Sequence, residues 1–201
     1  MRLKSVCVYC GSSPGRSPAY LAAARKLGAQ LAGRNIRLVY GGAKVGLMGA
    51  VAEAAINAGG KVTGVIPQSL ADQEVAFTEL DELIVVDSMH TRKALMAEKA
   101  DGFIALPGGF GTLDETFEIL TWAQIGLHAK PCGLLNIEGY YDQLLSFLDH
   151  TVKEMFVYAP HRDLVLSSAD SANLLDEMMA YERAPVKKTD WVRAMKKHKR
   201  A

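Results

Sequence analysis

The stretch Leu106-Pro107-Gly108-Gly109-Phe110-Gly111-Thr112-Leu113-Asp114-Glu115 decides how this chain of 201 residues folds. An apolar segment of strand character ends at Pro107, because proline cannot donate a hydrogen bond to a sheet ladder. The glycines that follow permit a sharp turn and let a ligand approach the main chain closely. Thr112 is predicted to cap a helix whose apolar side chains recur at helical spacing. A glycine-rich loop at a helix start offers unpaired N–H groups and the positive end of the helix dipole, which favour a phosphate ligand.

Two interpretations of this helix start stay open. Thr112 and Glu115 have the spacing of a capping box, in which the hydroxyl and the carboxylate each satisfy a backbone donor. Alternatively the loop binds phosphate, because three glycines in four positions exceed what a plain strand-to-helix connection needs. The stretch lacks the Gly-Lys-Ser/Thr ending of a P-loop, and Asp114 stands where the dinucleotide-binding pattern requires glycine. A nucleoside monophosphate or a sugar phosphate therefore fits better than ATP or NAD.

Segments of strand and helix character alternate along the whole chain. Strands are predicted at residues 5–10, 36–40, 62–66, 83–86, 103–106, 131–135 and 164–166. Helices are predicted at residues 18–33, 89–100, 112–125, 140–154 and 171–181, together with an alanine-rich helix that ends near residues 59–60. Such alternation predicts the α/β class, with a mainly parallel sheet and helices on both of its faces. The segment 68–78 carries no clear pattern.

Three of these strands end in glycine-rich loops, at residues 11–15, 41–49 and 108–111. Ligands of open parallel sheets bind outside the carboxyl ends of the strands, where the strand order reverses. The three loops are therefore expected to line one site. Gly11, Ser12, Gly42 and Met89 are candidates for a further part of its pocket.

Composition and charge argue against several classes of protein. Lys and Arg number 23 against 22 Asp and Glu, so the overall charge does not indicate a nucleic-acid-binding protein. No apolar run is long enough to cross a membrane, and the start Met1-Arg-Leu-Lys lacks the plan of a signal peptide, so we expect a cytoplasmic protein. Cys7 and Cys10 form a C-x-x-C pair, but positions three apart on a strand point to opposite faces. Two buried cysteines are therefore predicted rather than a redox or metal site, and no metal ligand cluster is evident.

A second motif, Asp87-Ser-Met-His90-Thr91-Arg92-Lys93, opens a helix directly after a strand. Cations at a helix start oppose the helix dipole, so this pair indicates an anionic ligand or a carboxylate nearby. The planar guanidinium of Arg92 matches either group, whereas two solvated surface cations are the alternative. His90 is interpreted as a packed or hydrogen-bonded residue.

With Met89-His-Thr-Arg-Lys93, and with Pro107-Gly-Gly-Phe-Gly-Thr112 followed by Glu115, the chain resembles the LONELY GUY (LOG) family. Its members are cytokinin riboside 5′-monophosphate phosphoribohydrolases that were long labelled lysine decarboxylases. The likeness begins at Val8-Tyr-Cys-Gly-Ser-Ser13, continues through Tyr40-Gly-Gly42 and Gly46-Leu-Met-Gly49, and reaches the helix that bears Trp122. We therefore expect a single Rossmann-like domain over residues 1–184, followed by a basic tail at residues 185–201. The tail is interpreted as a solvated terminus rather than an RNA-binding patch.

The resemblance implies a homodimer that hydrolyses the N-glycosidic bond of AMP or of N6-prenylated AMP, without a cofactor or a metal. The products would be the free base and ribose 5-phosphate. It places Arg92 and Glu115 at the catalytic positions. The nucleotide-contacting positions fall on Glu74, Arg92, Lys93, Gly109, Phe110, Gly111, Thr112, Leu113, Asp114, Glu115 and Thr121.

Breaking a glycosidic C–N bond builds positive charge on the sugar, which an ionised carboxylate stabilises. We assign this role to Glu115, while Arg92 is expected to serve either the phosphate or the leaving base. Two other functions stay open. A pyridoxal-phosphate-dependent lysine decarboxylase needs a Schiff-base lysine, for which Lys44 and Lys93 lie near the loops. A nucleotide-binding sensor would use the same loops for binding alone.

Overall fold

The computed structural model describes residues 3–73 and 76–182. The strands are β1 (Ser5–Tyr9), β2 (Arg37–Tyr40), β3 (Val62–Pro67), β4 (Glu82–Val86), β5 (Gly102–Ala105), β6 (Cys132–Leu135) and β7 (Val165–Ser168). The helices are α1 (Pro18–Gly33), α2 (Gly46–Asn57), α3 (Gln68–Ala71), α4 (Met89–Lys99), α5 (Phe110–Ile125), α6 (Asp142–Lys153), α7 (Ala159–Arg162) and α8 (Ser171–Ala180). All seven strands join one parallel sheet in the order β4-β3-β2-β1-β5-β6-β7. The predicted Rossmann-like α/β fold is confirmed.

Helices cover both faces of the sheet, and strand β1 shows why. All five of its residues are buried, since Val6 and Val8 enter one core layer while Cys7 enters the other. A parallel strand with helices on both sides needs apolar side chains on both sides. Cys10 lies in the layer opposite to that of Cys7, both thiols are free, and burial raises the pKa of each. The prediction of two buried cysteines facing opposite layers is confirmed.

The strand order reverses at β1, which pairs with β2 on one side and with β5 on the other. Sheets of this kind leave a crevice between the loops that follow the two central strands. Here the loops are tied together at their bases, because the Gly11 N–H donates to the Pro107 carbonyl at 3.1 Å and the Leu106 N–H to the Tyr9 carbonyl at 2.9 Å. The predicted meeting of glycine-rich loops at one edge of the sheet therefore occurs at β1 and β5.

Helix α5 begins at Phe110, with Gly109 as its N-cap residue, and not at Thr112. No side chain caps this helix, so the predicted capping box of Thr112 and Glu115 is wrong. Thr112 is already inside the helix and is buried, and the Glu115 carboxylate turns away from the helix start. Glu115 pairs with Arg92 instead of making the local hydrogen bond that the sequence pattern favours.

Two connections also differ from the predicted boundaries. Residues Ile137–Gly139 form a 3-10 turn with positive φ at Glu138 and Gly139, so α6 starts two residues later than predicted. The segment without a clear pattern contains the short helix α3 and an isolated bridge between Ala43 and Ala76. The proposed basic tail lies outside the described residues, so the domain boundary at residue 184 stays a prediction.

Candidate active site

Arg92 and Glu115 form a buried ion pair at the carboxyl edge of the sheet. Arg92 Nη1 lies 3.0 Å from Glu115 Oε1, and only 8% of Arg92 and 7% of Glu115 is exposed. The Nε of Arg92 donates to the carbonyl of Val65, in the second half of β3, at 3.0 Å. Arg92 therefore reaches inward across the strand ends, and the alternative of a solvated surface cation is wrong for it.

Gly41 makes room for this arginine. A Cβ on residue 41 would collide with Nη2 of Arg92 and would lie 3.1 Å from the sulfur of Met48. Glycine at residue 41 leaves the space that the guanidinium occupies between β3 and α5. The sequence identifies Gly41 only as one of several loop glycines. The residues next to it do not indicate that a side chain from α4 occupies the space where its Cβ would be.

The environment of Glu115 combines burial with one close cation. Burial raises the pKa of Glu115 above its ordinary value, and the Arg92 guanidinium opposes part of that shift. Asp114 raises the pKa further, because it is a second negative charge nearby. The Arg92 cation therefore offsets part of the cost of burying the Glu115 carboxylate, and the two side chains act as one unit.

The loop before α5 presents its backbone rather than its side chains. A Cβ on Gly108 would collide with Oγ1 of Thr112, whereas a Cβ on Gly109 or Gly111 would meet nothing within 4 Å. Of these three positions, packing therefore requires glycine only at residue 108. At the other two positions, glycine leaves open space beside the first N–H groups of a helix that no side chain caps. The Phe110 side chain is 94% exposed and points away from the core.

A crevice of about 330 Å³ opens beside this loop. Its walls come from the loops after β1 and β5 and from two tyrosines. The lining residues are Gly11, Ser12, Ser13, Gly15, Tyr20, Leu47, Pro107, Gly108, Gly109 and Tyr140. The predicted pocket residues Gly11 and Ser12 are thus among them.

Met89 lies beside the ion pair, and Gly42 lies against Val65, whose carbonyl accepts from Arg92. The Met89 sulfur is 3.8 Å from Arg92 Nη1, and the Gly42 carbonyl accepts the Phe77 N–H at 2.8 Å. The four predicted pocket residues are therefore divided between the open crevice and the surroundings of Arg92.

Lys93 links the two helices that carry the ion pair. Its Nζ lies 3.0 Å from Asp114 Oδ2 and 3.2 Å from Glu118 Oε1, and its side chain is 12% exposed. Partial burial opposes its charge, but the hydrogen bonds to these carboxylates prevail and raise the pKa of Lys93. The alternative of a solvated surface cation is therefore wrong for Lys93 as well.

The remaining predicted contacts lie in different surroundings. Leu113 packs into a core cluster with Ala105 and Leu134. Thr121 is exposed, and its hydroxyl donates to the Phe117 carbonyl at 2.7 Å. Glu74 lies outside the described residues. Among the described residues, no group of three or more His, Cys, Asp or Glu is arranged to hold a metal ion.

Two tyrosines that sequence reasoning missed are hydrogen-bonded to the loop. The Tyr140 hydroxyl donates to the Gly108 carbonyl, and the Tyr141 hydroxyl donates to the Leu106 carbonyl, both at 2.6 Å. The sequence pattern predicts only that a helix starts at residue 140. The available signal was an aromatic pair that begins five residues after the end of β6, the strand that pairs with β5.

A parallel sheet of this order, with a crevice and an uncapped helix start at its switch point, defines an α/β protein of the Rossmann type. Within that class, the family model described as "possible lysine decarboxylase" matches residues 48–178. A probable cytokinin riboside 5′-monophosphate phosphoribohydrolase of Oryza sativa subsp. japonica is 51% identical over 90% of this chain and 79% of its own length. A cytokinin riboside 5′-monophosphate phosphoribohydrolase of Arabidopsis thaliana is 49% identical over 90% of this chain and 83% of its own. The chain belongs to this family, the LONELY GUY family.

Solved structures with lower identity share the fold. The molybdenum cofactor binding protein of Rippkaea orientalis has a TM-score of 0.68 at 23% identity, covering 90% of this chain and 98% of its own. The molybdenum cofactor carrier protein of Chlamydomonas reinhardtii has a TM-score of 0.67 at 24% identity, covering 90% and 100%. In the part of the chain that the structure describes, no helix is both long enough and apolar enough to cross a membrane.

Proposed function

We propose that this protein hydrolyses the N-glycosidic bond of AMP or of N6-prenylated AMP and releases the free base and ribose 5-phosphate. The observation that carries the proposal is the buried pair of Arg92 and Glu115 beside an uncapped helix start with open glycines. The names of the relatives support the same substrate class. Cleavage of such a bond is helped by donors that hold the phosphate and by a negative charge near the sugar, and the uncapped start of α5 and the Glu115 carboxylate are the groups that would supply them.

The 5′-phosphate would bind at the start of α5. Gly109, Gly111 and Thr112 surround the first N–H groups of the helix, which have no partner within the helix itself. The positive end of the helix dipole adds to the attraction for a dianion. Because Gly109 and Gly111 leave open space, a phosphate can reach these donors without displacing a side chain.

Glu115 would then face the ribose. It lies one helical turn beyond Gly111, and its carboxylate would stabilise the positive charge that develops at the anomeric carbon and orient the attacking water. The Arg92 guanidinium lowers the pKa of Glu115 and so opposes the raising effect of burial. Since the Nε and Nη1 of Arg92 are occupied by Val65 and Glu115, Nη2 beside Gly41 is the donor it offers to the substrate.

A homodimer is part of the proposal. Thr121 follows Glu115 by six residues, which places it about 9 Å further along α5 and away from the phosphate end. Contact between Thr121 and a nucleotide therefore calls for the site of a second copy. Exposed apolar side chains near this face support such an interface, since Ile125 and Leu127 are each about two-thirds exposed.

A cytoplasmic location also belongs to the proposal. Cys7, Cys10 and Cys132 are all free thiols in the structure. Unpaired cysteines are usual in compartments that keep thiols reduced.

The surroundings of Lys93 and Lys44 argue against the lysine decarboxylase alternative. A Schiff-base lysine reacts as the neutral amine and so requires a lowered pKa. Lys93 has a raised pKa between two carboxylates. The Nζ of Lys44 is paired with Glu79 at 3.8 Å and lies 4.8 Å from the centre of the Phe77 ring.

The decisive experiment incubates the purified protein with AMP, isopentenyl-AMP and adenosine, and measures the free base by chromatography. We expect base release from the two monophosphates and much less from adenosine, because adenosine lacks the group that the α5 loop holds. Binding of AMP without base release would instead favour the sensor. Sedimentation at micromolar concentration tests the dimer separately, and a monomer would contradict it.

A further inference from the structure

The three residues that lead into the α5 loop have each of their carbonyl groups occupied by a donor from another element. The Leu106 carbonyl accepts the Tyr141 hydroxyl at 2.6 Å, and the Gly108 carbonyl accepts the Tyr140 hydroxyl at 2.6 Å. Between them, the Pro107 carbonyl accepts the Gly11 N–H at 3.1 Å. No comparable set of contacts is needed for a simple turn, which one or two hydrogen bonds close.

Resting on the proposed function, we infer that Tyr140 is a positioning residue for the phosphate end of the substrate. A trans peptide directs its carbonyl and its N–H to opposite sides. When the Tyr140 hydroxyl holds the Gly108 carbonyl, the Gly109 N–H of the same peptide faces away from Tyr140. The peptide therefore offers the phosphate a donor and keeps an acceptor oxygen out of its reach.

The orientation of this peptide needs to be fixed because the peptide joins two glycines. Glycine populates backbone angles on both sides of the Ramachandran map, so rotation of a Gly-Gly peptide meets little steric resistance. A flipped Gly108-Gly109 peptide would place a carbonyl dipole against the phosphate, where its negative end repels the ligand. The hydrogen bond of Tyr140 selects the favourable orientation before the substrate arrives.

Tyr140 is itself held in place, although its side chain is half exposed. The Tyr141 N–H donates to Asn136 Oδ1 at 2.7 Å, and Asn136 Nδ2 donates to Asp142 Oδ1 at 2.7 Å, which closes the turn around the positive φ of Gly139. The Tyr140 ring packs edge-on against Tyr141 at a centroid distance of 4.9 Å. Burial raises the pKa of Tyr141, so its hydroxyl stays protonated and remains a donor.

A second edge-on contact joins Tyr140 to Tyr20, at a centroid distance of 5.7 Å across the mouth of the crevice. The phenyl ring of Tyr140 therefore has a packing role of its own, which its hydroxyl does not share. Tyr140→Phe separates the two roles, because it keeps the ring and removes only the bond to Gly108.

The test compares Tyr140→Phe with the unaltered protein on two pairs of ligands, AMP with adenosine and ribose 5-phosphate with ribose. The members of each pair differ by one phosphate. We expect the KM for AMP to rise about five-fold, the equivalent of about 1 kcal/mol, while kcat changes less than two-fold. The KM for adenosine should not change. In titration calorimetry, the Kd for ribose 5-phosphate should rise by the same factor, while ribose should bind equally weakly to both proteins.

Tyr158→Phe is the matched control, because it removes a tyrosine hydroxyl at the start of α7, outside the crevice. Thermal melting verifies that both variants fold. An equal loss for adenosine and AMP, or a fall in kcat at constant KM, would overturn the role of Tyr140. Ribose 5-phosphate binding that is the same in Tyr140→Phe and in the unaltered protein would overturn it too. If the unaltered protein binds ribose 5-phosphate but releases no base from AMP, the hydrolase proposal fails while the titration still decides the role of Tyr140.

Discussion

The two parts of the candidate site are built on opposite principles. Around Arg92 and Glu115, charged side chains are buried and satisfy each other, and a glycine makes room for them. In the crevice beside the α5 loop, backbone groups face open space, and two tyrosine hydroxyls are hydrogen-bonded to carbonyl groups of the loop. The buried part fixes the charges that chemistry would use. The open part fixes the direction of dipoles that a ligand would meet.

The difference predicts that substitutions in the buried part will act on the rate and those in the open part on binding. Buried charges are strongly coupled, since removing one leaves the other without compensation. Backbone donors are many and individually weak, so the loss of one support is tolerated. The predictions that follow test this division, beginning with the largest effect.

Glu115→Gln should lower kcat for base release from AMP by about 10²- to 10³-fold, a loss typical when one electrostatic stabiliser is removed from an active site. The amide keeps the shape and an acceptor for Arg92 Nη1, so the chain should still fold. Steady-state kinetics with AMP and circular dichroism measure the two effects. Base release at the rate of the unaltered protein would show that Glu115 has no catalytic role.

Gly41→Ala should act on the rate through Arg92. The added methyl collides with Nη2, so the guanidinium must shift from the position in which it contacts both Val65 and Glu115. We expect base release to fall about 10- to 100-fold, a few kcal/mol of lost electrostatic support. Gly33→Ala, at the end of α1 where a Cβ meets nothing within 4 Å, is the control and should keep full activity. A Gly41→Ala protein as active as this control would contradict the role of the cavity.

The pH dependence of stability should reveal the environment of Glu115. Its pKa is raised in the folded protein, so folding favours the protonated form. This contribution to the free energy of unfolding is fully present below the usual glutamate pKa of about 4.3 and is lost as the pH rises through the folded value. Relative to Glu115→Gln, which does not titrate there, the unaltered protein should become less stable over that range. Urea unfolding at several pH values measures the difference, and an opposite slope would mean that Arg92 dominates.

The smallest effect is expected for Lys93→Met, which removes the ionic link between α4 and α5 but keeps a long side chain. Its partners Asp114 and Glu118 are partly exposed, so we expect a loss of at most about 1 kcal/mol in the free energy of unfolding. A purely structural Lys93 leaves the KM for AMP unchanged. A several-fold rise in that KM at equal kcat would instead support the nucleotide contact that the family resemblance implies for it.

The sequence predicted the architecture well, because periodicity and strand-ending glycines report on local structure. It also predicted that Arg92 needs an anion or a carboxylate, since a cation at a helix start is unfavourable on its own. The prediction of a capping box was wrong because it considered only local contacts. Its pattern describes a local hydrogen bond for Glu115, and the arginine of another helix competes for the carboxylate.

Other features could not be predicted, because they join residues distant in the chain. The hydroxyl of Tyr140 meets a carbonyl 32 positions earlier, and that of Tyr141 meets one 35 positions earlier. The need for glycine at residue 41 appears only once Arg92 is placed across the strand ends. The residue types alone do not indicate such contacts, because the contacts form only when the strands have paired in the order of the sheet.

Gly111 sets stability against activity at a single position. It lies inside α5, where alanine would meet no other atom within 4 Å and would favour the helix by about 1 kcal/mol. A selection for thermal stability alone would therefore choose alanine there and narrow the approach to the backbone donors of the helix start. An engineer who wants a more heat-resistant form of this protein should leave residue 111 untouched and look for stabilising changes away from the loop.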